Sequence, residues 1–329
     1  TINELEKEQR KGLYMSFNNA VHVEGYVFST ERLANRVSKK TNTPFINGTV
    51  NVATDEDATN IVPVFFPYVT ETFKSGKPNP AYEILQGLID SDGGNTYEKI
   101  GKEALKVRID GSVDVNDFVT RDGEMASPKR VSGSFMHLMT GDISAEPATF
   151  DIDMLIAGVA EREVEDGDDF ANLRGYAFNY RGDALPVDVN IRSRGGIDYF
   201  MDAEISNKNP MFTHIKGNIV SQAITHETTE ESAFGDPIVH KVTRHIHTWD
   251  VTWAAVEPYE WDDESTLTKK EFKQKLADRE EHLAEVKKNH DDYQAQKNGG
   301  QNFNAPTKVT ETVTETTTED DDDWDDLPF

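Results

Sequence analysis

Two kinds of side chain, cationic and aromatic, lie close together in several stretches of this sequence. Positive charge attracts phosphate groups, and aromatic rings stack on other planar rings. Such a stretch therefore has the chemistry to hold ring compounds that carry phosphate. The most cationic stretch spans residues 31–45 and has no acidic residue after Glu31. Its basic residues are Arg32, Arg36, Lys39 and Lys40, and we expect the stretch to form the loop between the first and second strands. The alternative interpretation is a solvated hairpin between two strands.

Aromatic residues follow this stretch closely. Phe65 and Phe66 are adjacent, so in a strand they must point to opposite faces, one to the core and the other to a binding surface. Lys106 and Arg108 are two residues apart and share one strand face, where they are able to follow a chain of phosphates. The candidates from this part of the sequence are Phe45, Phe66, Tyr68, Phe73, Lys106 and Arg108.

The second half of the chain has a similar arrangement. Strand alternation over residues 173–182 puts three aromatic residues, Tyr176, Phe178 and Tyr180, on one face with an arginine at each end. Three aromatic residues on one strand face are also typical of a core. The candidates from this half are Tyr176, Tyr180, Arg192 and Arg194, and the spacing of the two arginines predicts that they share one strand face.

Other chemistry has little support in the sequence. His245 and His247 have the spacing of two zinc ligands on a strand, but no further ligand pattern accompanies them, so we predict no metal site. The chain has no cysteine, and no phosphate-binding loop or nucleophile motif is apparent. We therefore expect no cofactor and a protein that is not an enzyme.

The elements that must position these residues are mainly strands. Alternating β-branched and aromatic residues predict five strand-like runs between residues 18 and 141 and five more between 151 and 256. A helix is predicted after Pro80, between the third and fourth runs. Gly25 and Gly158 lie within the first strand of each half, and Gly111 and Gly217 lie within a later strand. Glycine inside a strand often marks a bulge or bend.

Five strands, a bent first strand and a helix between the third and fourth strands are typical of the OB-fold. The sequence thus predicts a mainly β protein with two OB-fold-like five-stranded barrels in tandem; a two-layer sandwich is the alternative. The predicted organisation is a helical arm (1–17), two barrel domains (18–148 and 149–258), a helix (265–295) and a disordered linker with an acidic tip (296–329).

The predicted C-terminal helix has an apolar stripe that includes Phe272, Leu276, Leu283, Val286 and Tyr293. The stripe fits a helix that lies on its own barrel, and it also fits a dimer contact. Oligomeric state therefore stays open.

The last residues of the sequence are unusual for a solubilising tail. The formal net charge is −26, and nine acidic residues but no basic residue lie between 309 and 329. Six aspartates surround one tryptophan before an apolar end. The tip residues are Asp320, Asp321, Asp322, Asp323, Trp324, Asp325, Asp326, Leu327, Pro328 and Phe329.

This tip resembles the acidic end of bacterial and bacteriophage single-stranded DNA-binding proteins. In that family a disordered linker ends in clustered aspartates, an apolar pair or triplet, proline and phenylalanine. The resemblance covers about ten residues, and the longer body of this chain departs from the single-barrel pattern. It implies a phage-type member with two OB-like domains that coats single-stranded DNA and docks partner proteins through the tip.

The resemblance implies roles in DNA replication, recombination or repair, in the cytoplasm of a bacterial host. The sequence has no apolar run long enough to cross a membrane, so no membrane partner is expected. The acidic body keeps two alternatives open. One is a replication or recombination adaptor whose body binds protein, and the other is an acidic DNA mimic or virion β protein.

Overall fold

The computed structural model describes residues 17–162, 169–230, 238–260 and 267–298 of the chain. Between 222 and 246, and over 296–298, only the backbone is described. The predicted helical arm, apart from residue 17, and the predicted linker and tip beyond 298 lie outside the described residues.

The first group of strands closes into a barrel. Strand β1 pairs with β2 and with β4, β2 pairs with β3, and β7 connects β3 to β4. All these pairings are antiparallel except β3–β7. The strands are β1 (Asn19–Val37), β2 (Pro44–Ala53), β3 (Ile61–Val69), β4 (Lys106–Val115) and β7 (Lys129–Leu138).

Helices fill the connection between β3 and β4, as the sequence predicts. They are α1 (Pro80–Asp90), α2 (Tyr97–Ile100) and a 3-10 turn (Gly101–Glu103). Helix α1 begins where Asn79 accepts a hydrogen bond from the Ala81 N–H, and Pro80 is favourable in the first turn. Its apolar side, with Leu85 and Leu88, is buried in the barrel core. A short hairpin, β5 (Phe118–Val119) and β6 (Met125–Ala126), connects β4 to β7.

The second group of strands repeats this circuit. Strand β8 pairs with β9 and β11, and β9 pairs with β10, all antiparallel. Strand β12 closes the barrel, because it pairs with β10 in parallel and with β11 in antiparallel orientation. Helix α3 (Arg194–Asp202) lies between the third and fourth strands of this circuit. The strands are β8 (Ala148–Arg162), β9 (Phe170–Phe178), β10 (Ala184–Ile191), β11 (Met211–Glu230) and β12 (Ile238–Ala254).

These pairings confirm the predicted fold class, a mainly β protein with OB-fold-like five-stranded barrels. The fourth strands carry the predicted glycine irregularities. Register shifts occur next to Gly111 in β4 and next to Gly217 in β11. A Cβ at either position would lie 2.1 Å from a backbone oxygen of the partner strand. Only glycine allows these strands to approach so closely at the bulge.

The two barrels share one continuous sheet. The first residues of β1, from Asn19 to Val23, pair antiparallel with residues 148–152 of β8. The Asn19 side chain donates to the carbonyls of Val113 (3.1 Å) and Phe178 (3.0 Å), one in each barrel. The division into domains at residues 148 and 149 stays a prediction, since the sheet runs across it.

A buried carboxylate lies at the same junction. Asp153 accepts hydrogen bonds from the backbone N–H of Asn18 (2.7 Å) and the Tyr259 hydroxyl (2.9 Å), and it contacts His214 (2.7 Å). Burial and the hydrogen bond to Asp153 raise the pKa of Tyr259 to about 12. These bonds attach the start of β1 and the segment after β12 to the centre of β8.

Helix α4 (Lys269–Asn298) lies against the second barrel with its first turns only. Leu267, Phe272 and Leu276 are buried with Leu155, Phe178 and Phe212 of the barrel. Further along, Arg279 donates to Asp117 (2.8 Å) beside the β5–β6 hairpin. After His282, the described side chains are exposed or half-buried. Among the described helices, none is both long and apolar enough to cross a membrane.

The docked half of α4 predicts a clear difference between two aromatic substitutions. Phe272→Ala should lower the free energy of unfolding by about 3–5 kcal/mol, because a fully buried ring is lost. Tyr293→Ala, on the exposed half, should change it by less than about 0.5 kcal/mol. Chemical denaturation measures both values. Light scattering should give the same mass for each variant; a mass that halves in either one would show that α4 is a dimer interface.

Candidate nucleic-acid interface

The cationic stretch forms the end of the β1–β2 hairpin. Strand β1 continues to Val37, so Arg32 and Arg36 lie on the strand, and only Lys39 and Lys40 lie in the turn at 38–43. The prediction of a long loop here is wrong, because backbone pairing extends to Val37 opposite Pro44. All four basic side chains are exposed, and none pairs with a described carboxylate.

An aromatic pair lies beside these cations. Arg36 is directly opposite Phe45 in the β1–β2 register, so their side chains share one face. The rings of Phe45 and Tyr68 are 4.4 Å apart at 32°, and Tyr68 is 48% exposed. A ring so exposed is free to stack on a further planar group.

A second aromatic pair lies at the same end of the barrel. Phe73, in the loop after β3, is 6.2 Å from Phe135 of β7. Val64 pairs with Val131 in the parallel β3–β7 ladder, and Tyr68 and Phe135 each lie four residues further along. Both aromatic pairs therefore lie toward the same ends of parallel strands. We call Arg36, Phe45, Tyr68, Phe73 and Phe135 the aromatic end.

Sequence reasoning missed three residues at this end. Lys74 and Lys77 are exposed in the loop that holds Phe73, and neither pairs with a described carboxylate. Phe135 is 50% exposed although it lies within β7. The two lysines flank Ser75 and Gly76, and this Ser-Gly pair predicts a turn next to the aromatic residue. Residues in such a turn are expected to be exposed. No such local signal identifies Phe135.

The assignment of Phe66 to a binding surface is wrong. Phe66 is fully buried, and a Cβ built on Gly133 would lie 2.5 Å from its ring. The outward ring of the adjacent pair is Phe65, because the two alternate across the strand. The Arg130 guanidinium covers that ring at 4.1 Å while it binds Asp114 (2.7 Å). Neither phenylalanine is therefore an open stacking surface.

Lys106 and Arg108 lie on another face of the barrel, on β4. Lys106 is over the Tyr26 ring at 5.2 Å and donates to the Gly141 carbonyl at 3.2 Å. Arg108 has Asp110 at 3.7 Å and Glu24 opposite it on β1. Their predicted shared face is present, but its acidic residues make it a poor phosphate track.

Of the three aromatic residues predicted on one face in the second half, only Tyr180 leaves that face. Tyr176 packs under α4, 5.5 Å from Phe272, and its burial raises the pKa of its hydroxyl. Phe178 is fully buried. Tyr180 lies beyond β9 in a turn, 79% exposed, and Arg181 donates to its hydroxyl at 2.7 Å. Tyr176 and Phe178 share the predicted face, because both rings contact Phe272. Tyr180 does not, because β9 ends at Phe178.

The predicted shared face of Arg192 and Arg194 is also wrong. Strand β10 ends at Ile191, and Arg194 begins α3. Arg192 binds Asp250 at 3.1 Å. Arg194 binds Glu161 (2.8 Å) and Asp198 (2.7 Å), and hydrogen bonds to these two carboxylates raise its pKa. Their charge is already compensated within the protein.

Metal ligands do not cluster in the part of the chain that the structure describes. The side chains of His240 and His245 lie outside that part, so the absence of a metal site on this strand stays a prediction.

Strand order and helix position define the chain as a protein with tandem OB-fold-like barrels. Residues 18–289 match the model of the YorF family, and the chain belongs to that family. No curated protein matches the sequence.

Two solved structures of the single-stranded DNA binding protein from Thermus aquaticus are similar to this chain. A deletion mutant is 12% identical over 75% of this chain and 98% of that chain, with a TM-score of 0.43. The wild-type protein is 11% identical over 73% of this chain and 93% of that chain, with a TM-score of 0.42. Since these scores are low, the fold assignment depends on the strand pairings themselves.

Exposure at the aromatic end predicts the effect of two neighbouring substitutions on stability. Phe66→Ala should lower the free energy of unfolding by about 3–5 kcal/mol, because it leaves a cavity in the core. Tyr68→Ala should lower it by less than about 1 kcal/mol, because half of its ring is already in water. Urea denaturation of both variants tests the assignment. Equal losses would mean that Tyr68 is a core residue and not part of an open surface.

Proposed function

We propose that this protein binds single-stranded DNA without sequence preference, through the aromatic end of its first barrel. The observation that carries the proposal is the combination found there: two aromatic pairs, each with one exposed ring, beside exposed cations that no described carboxylate neutralises. The rest of the chain is strongly acidic, so such a concentration of free positive charge is unexpected on a surface without a function.

The geometry favours unpaired bases. Stacking on a ring such as Tyr68 requires an exposed base face, which a duplex hides inside its own stack. Each stacked base contributes about 1–3 kcal/mol, so two aromatic pairs are enough for a useful affinity. Arg32, Arg36, Lys39 and Lys40 then attract the phosphates of any sequence. In OB-folds the second and third strands and the hairpin between the first two form the usual nucleic-acid surface. Phe45, Tyr68 and this hairpin occupy those positions.

The acidic tip supports the second part of the proposal, the recruitment of DNA replication, recombination or repair proteins. Leu327 and Phe329 supply apolar groups for a pocket on a partner, and Pro328 restricts the backbone before docking. The aspartates steer the tip toward a basic rim. On this proposal the protein acts in a bacterial cytoplasm and is of bacteriophage type.

Removal of the hairpin charges tests the DNA site. We expect a fourfold variant to bind single strands of every sequence, oligo-dT included, more weakly. It combines Arg32→Gln, Arg36→Gln, Lys39→Gln and Lys40→Gln. A plot of the logarithm of the association constant against the logarithm of salt concentration should become flatter. Its slope should lose up to about 3 in magnitude, since each lost phosphate contact removes about 0.7. Fluorescence titration at several salt concentrations measures both, and a duplex of equal length should bind more weakly.

A control variant carries the same change in charge elsewhere. It combines Lys99→Gln, Lys270→Gln, Lys287→Gln and Lys288→Gln, all at exposed positions. It should keep most of the salt dependence. If both variants lose affinity equally, only the net charge matters and the hairpin is not a site. Equal binding of duplex and single strand would argue against stacking.

A single substitution tests the tip. Phe329→Ala should reduce the capture of partner proteins from a bacterial lysate by more than about tenfold, because one buried aromatic anchor contributes about 2 kcal/mol or more at an interface. Oligo-dT affinity should change by less than about twofold, because every aspartate remains. Val313→Ala, an apolar change elsewhere in the tail, is the matched control. If Phe329→Ala captures the same partner proteins as the native chain, the tail has no docking role and only increases solubility.

A further inference from the structure

A cavity of about 380 Å³ opens on the second barrel, on the face formed by β9 and β10. Its lining includes Gly158, where a Cβ would meet no atom closer than 3.8 Å, the backbone of Gly175, and the adjacent rings of Tyr176 and Pro186. Ser127 and Asn207 contribute polar groups. The cavity thus combines exposed backbone, two flat apolar side chains and hydrogen-bonding groups.

One uncompensated cation lies at this cavity. Arg174 is exposed, and its guanidinium lies 3.8 Å from a Cβ built on Gly158; apart from the two chain neighbours of Gly158, no other described residue lies within 4 Å of that Cβ. Its cross-strand neighbour Asp188 is bound by Lys129 at 2.8 Å. No described carboxylate pairs with Arg174. Arg174 is therefore available to bind an anion, unlike the paired Arg192 and Arg194 of the same barrel.

Helix α4 borders the cavity on one side. Tyr176, in its lining, packs against Phe272 of the helix, and Ser127, also in its lining, accepts a hydrogen bond from Arg279 at 3.0 Å. These contacts would block a strand of nucleic acid from following the whole β9–β10 face, so the cavity suits a small ligand better than a long strand. The cavity volume is near the lower end of the range for small-molecule sites, about 300–1,000 Å³.

We propose that this cavity binds a single nucleotide, with the base beside Tyr176 and Pro186 and the phosphate on Arg174. The proposal rests on the proposed function for the identity of the ligand. The glycine backbone lets a flat ring approach closely, and a guanidinium binds phosphate with two parallel hydrogen bonds. The two barrels then have different tasks: the first follows a strand, and the second takes one base out of it.

Filling the cavity is the sharpest test. Gly158→Leu adds a side chain where a Cβ meets no atom closer than 3.8 Å, so the barrel should still fold. Gly195→Leu is the matched control, because a Cβ there meets nothing within 4 Å and the position is outside the cavity lining. The probes are dTMP, thymidine and inorganic phosphate, titrated into the full chain and followed by calorimetry or NMR.

We expect Gly158→Leu to weaken dTMP binding more than tenfold while Gly195→Leu leaves it unchanged. Arg174→Gln should weaken dTMP about tenfold or more, because a charge-assisted hydrogen bond to phosphate is lost, and should affect thymidine less than about twofold. Lys99→Gln controls for the change in net charge.

The outcomes separate this inference from the proposed function. Oligo-dT binding without dTMP binding, or dTMP binding that Gly158→Leu leaves unchanged, overturns the nucleotide cavity alone. Binding of dTMP that both cavity variants weaken, with no oligo-dT binding by the native chain, supports the cavity and defeats the proposed function. Binding of inorganic phosphate as tightly as dTMP overturns the role given to the base.

Discussion

The architecture depends on one strand that belongs to both barrels. Residues 19–23 of β1 extend the sheet of the second barrel through β8. Residues 21–26 pair with β4 and residues 26–37 with β2, which closes the first barrel. Because a ladder of backbone hydrogen bonds joins the barrels, their relative orientation does not depend on loosely packed side chains. Asn19 strengthens the junction, since its amide bonds carbonyls of both barrels. The far end of β1 forms the cationic hairpin, so that hairpin is held in a fixed position relative to the second barrel.

The two barrels have the same strand order but different surfaces. The face of the first barrel that carries Phe45 and Tyr68 is open, and its cations have no described acidic partner. On the second barrel the equivalent face lies against α4, and Arg192 and Arg194 are paired with acids. The difference comes from side chains and from one helix, because both barrels have the same strand order. Duplication of a fold therefore need not duplicate a binding surface.

Much of the fold could be predicted from the sequence, because its signals are local. Gly111 and Gly217 mark corresponding bulges, and the proline-led helix α1 begins where the residue pattern places it. Helix α3 was missed because Gly195 and Gly196 are typical of a loop. Gly196 instead lets the helix start close to β10, since a Cβ there would lie 2.3 Å from the end of the Ile191 side chain. The choice between Phe65 and Phe66 depends on which side of the strand faces the core, and two adjacent aromatic residues give no local signal for that. The cover over Tyr176 comes from a helix almost a hundred residues later, which no spacing within β9 indicates.

The undocked half of α4 has a geometric consequence for everything attached after it. From Leu283 to Asn298 the helix rises by about 24 Å at 1.5 Å per residue. Within the described residues, this half has no hydrogen bond or ion pair to another element. This half therefore displaces residue 298 from the docked half of the helix by about that length. A partner protein bound to residues after 298 would be held at a distance from the helix turns that contact the second barrel.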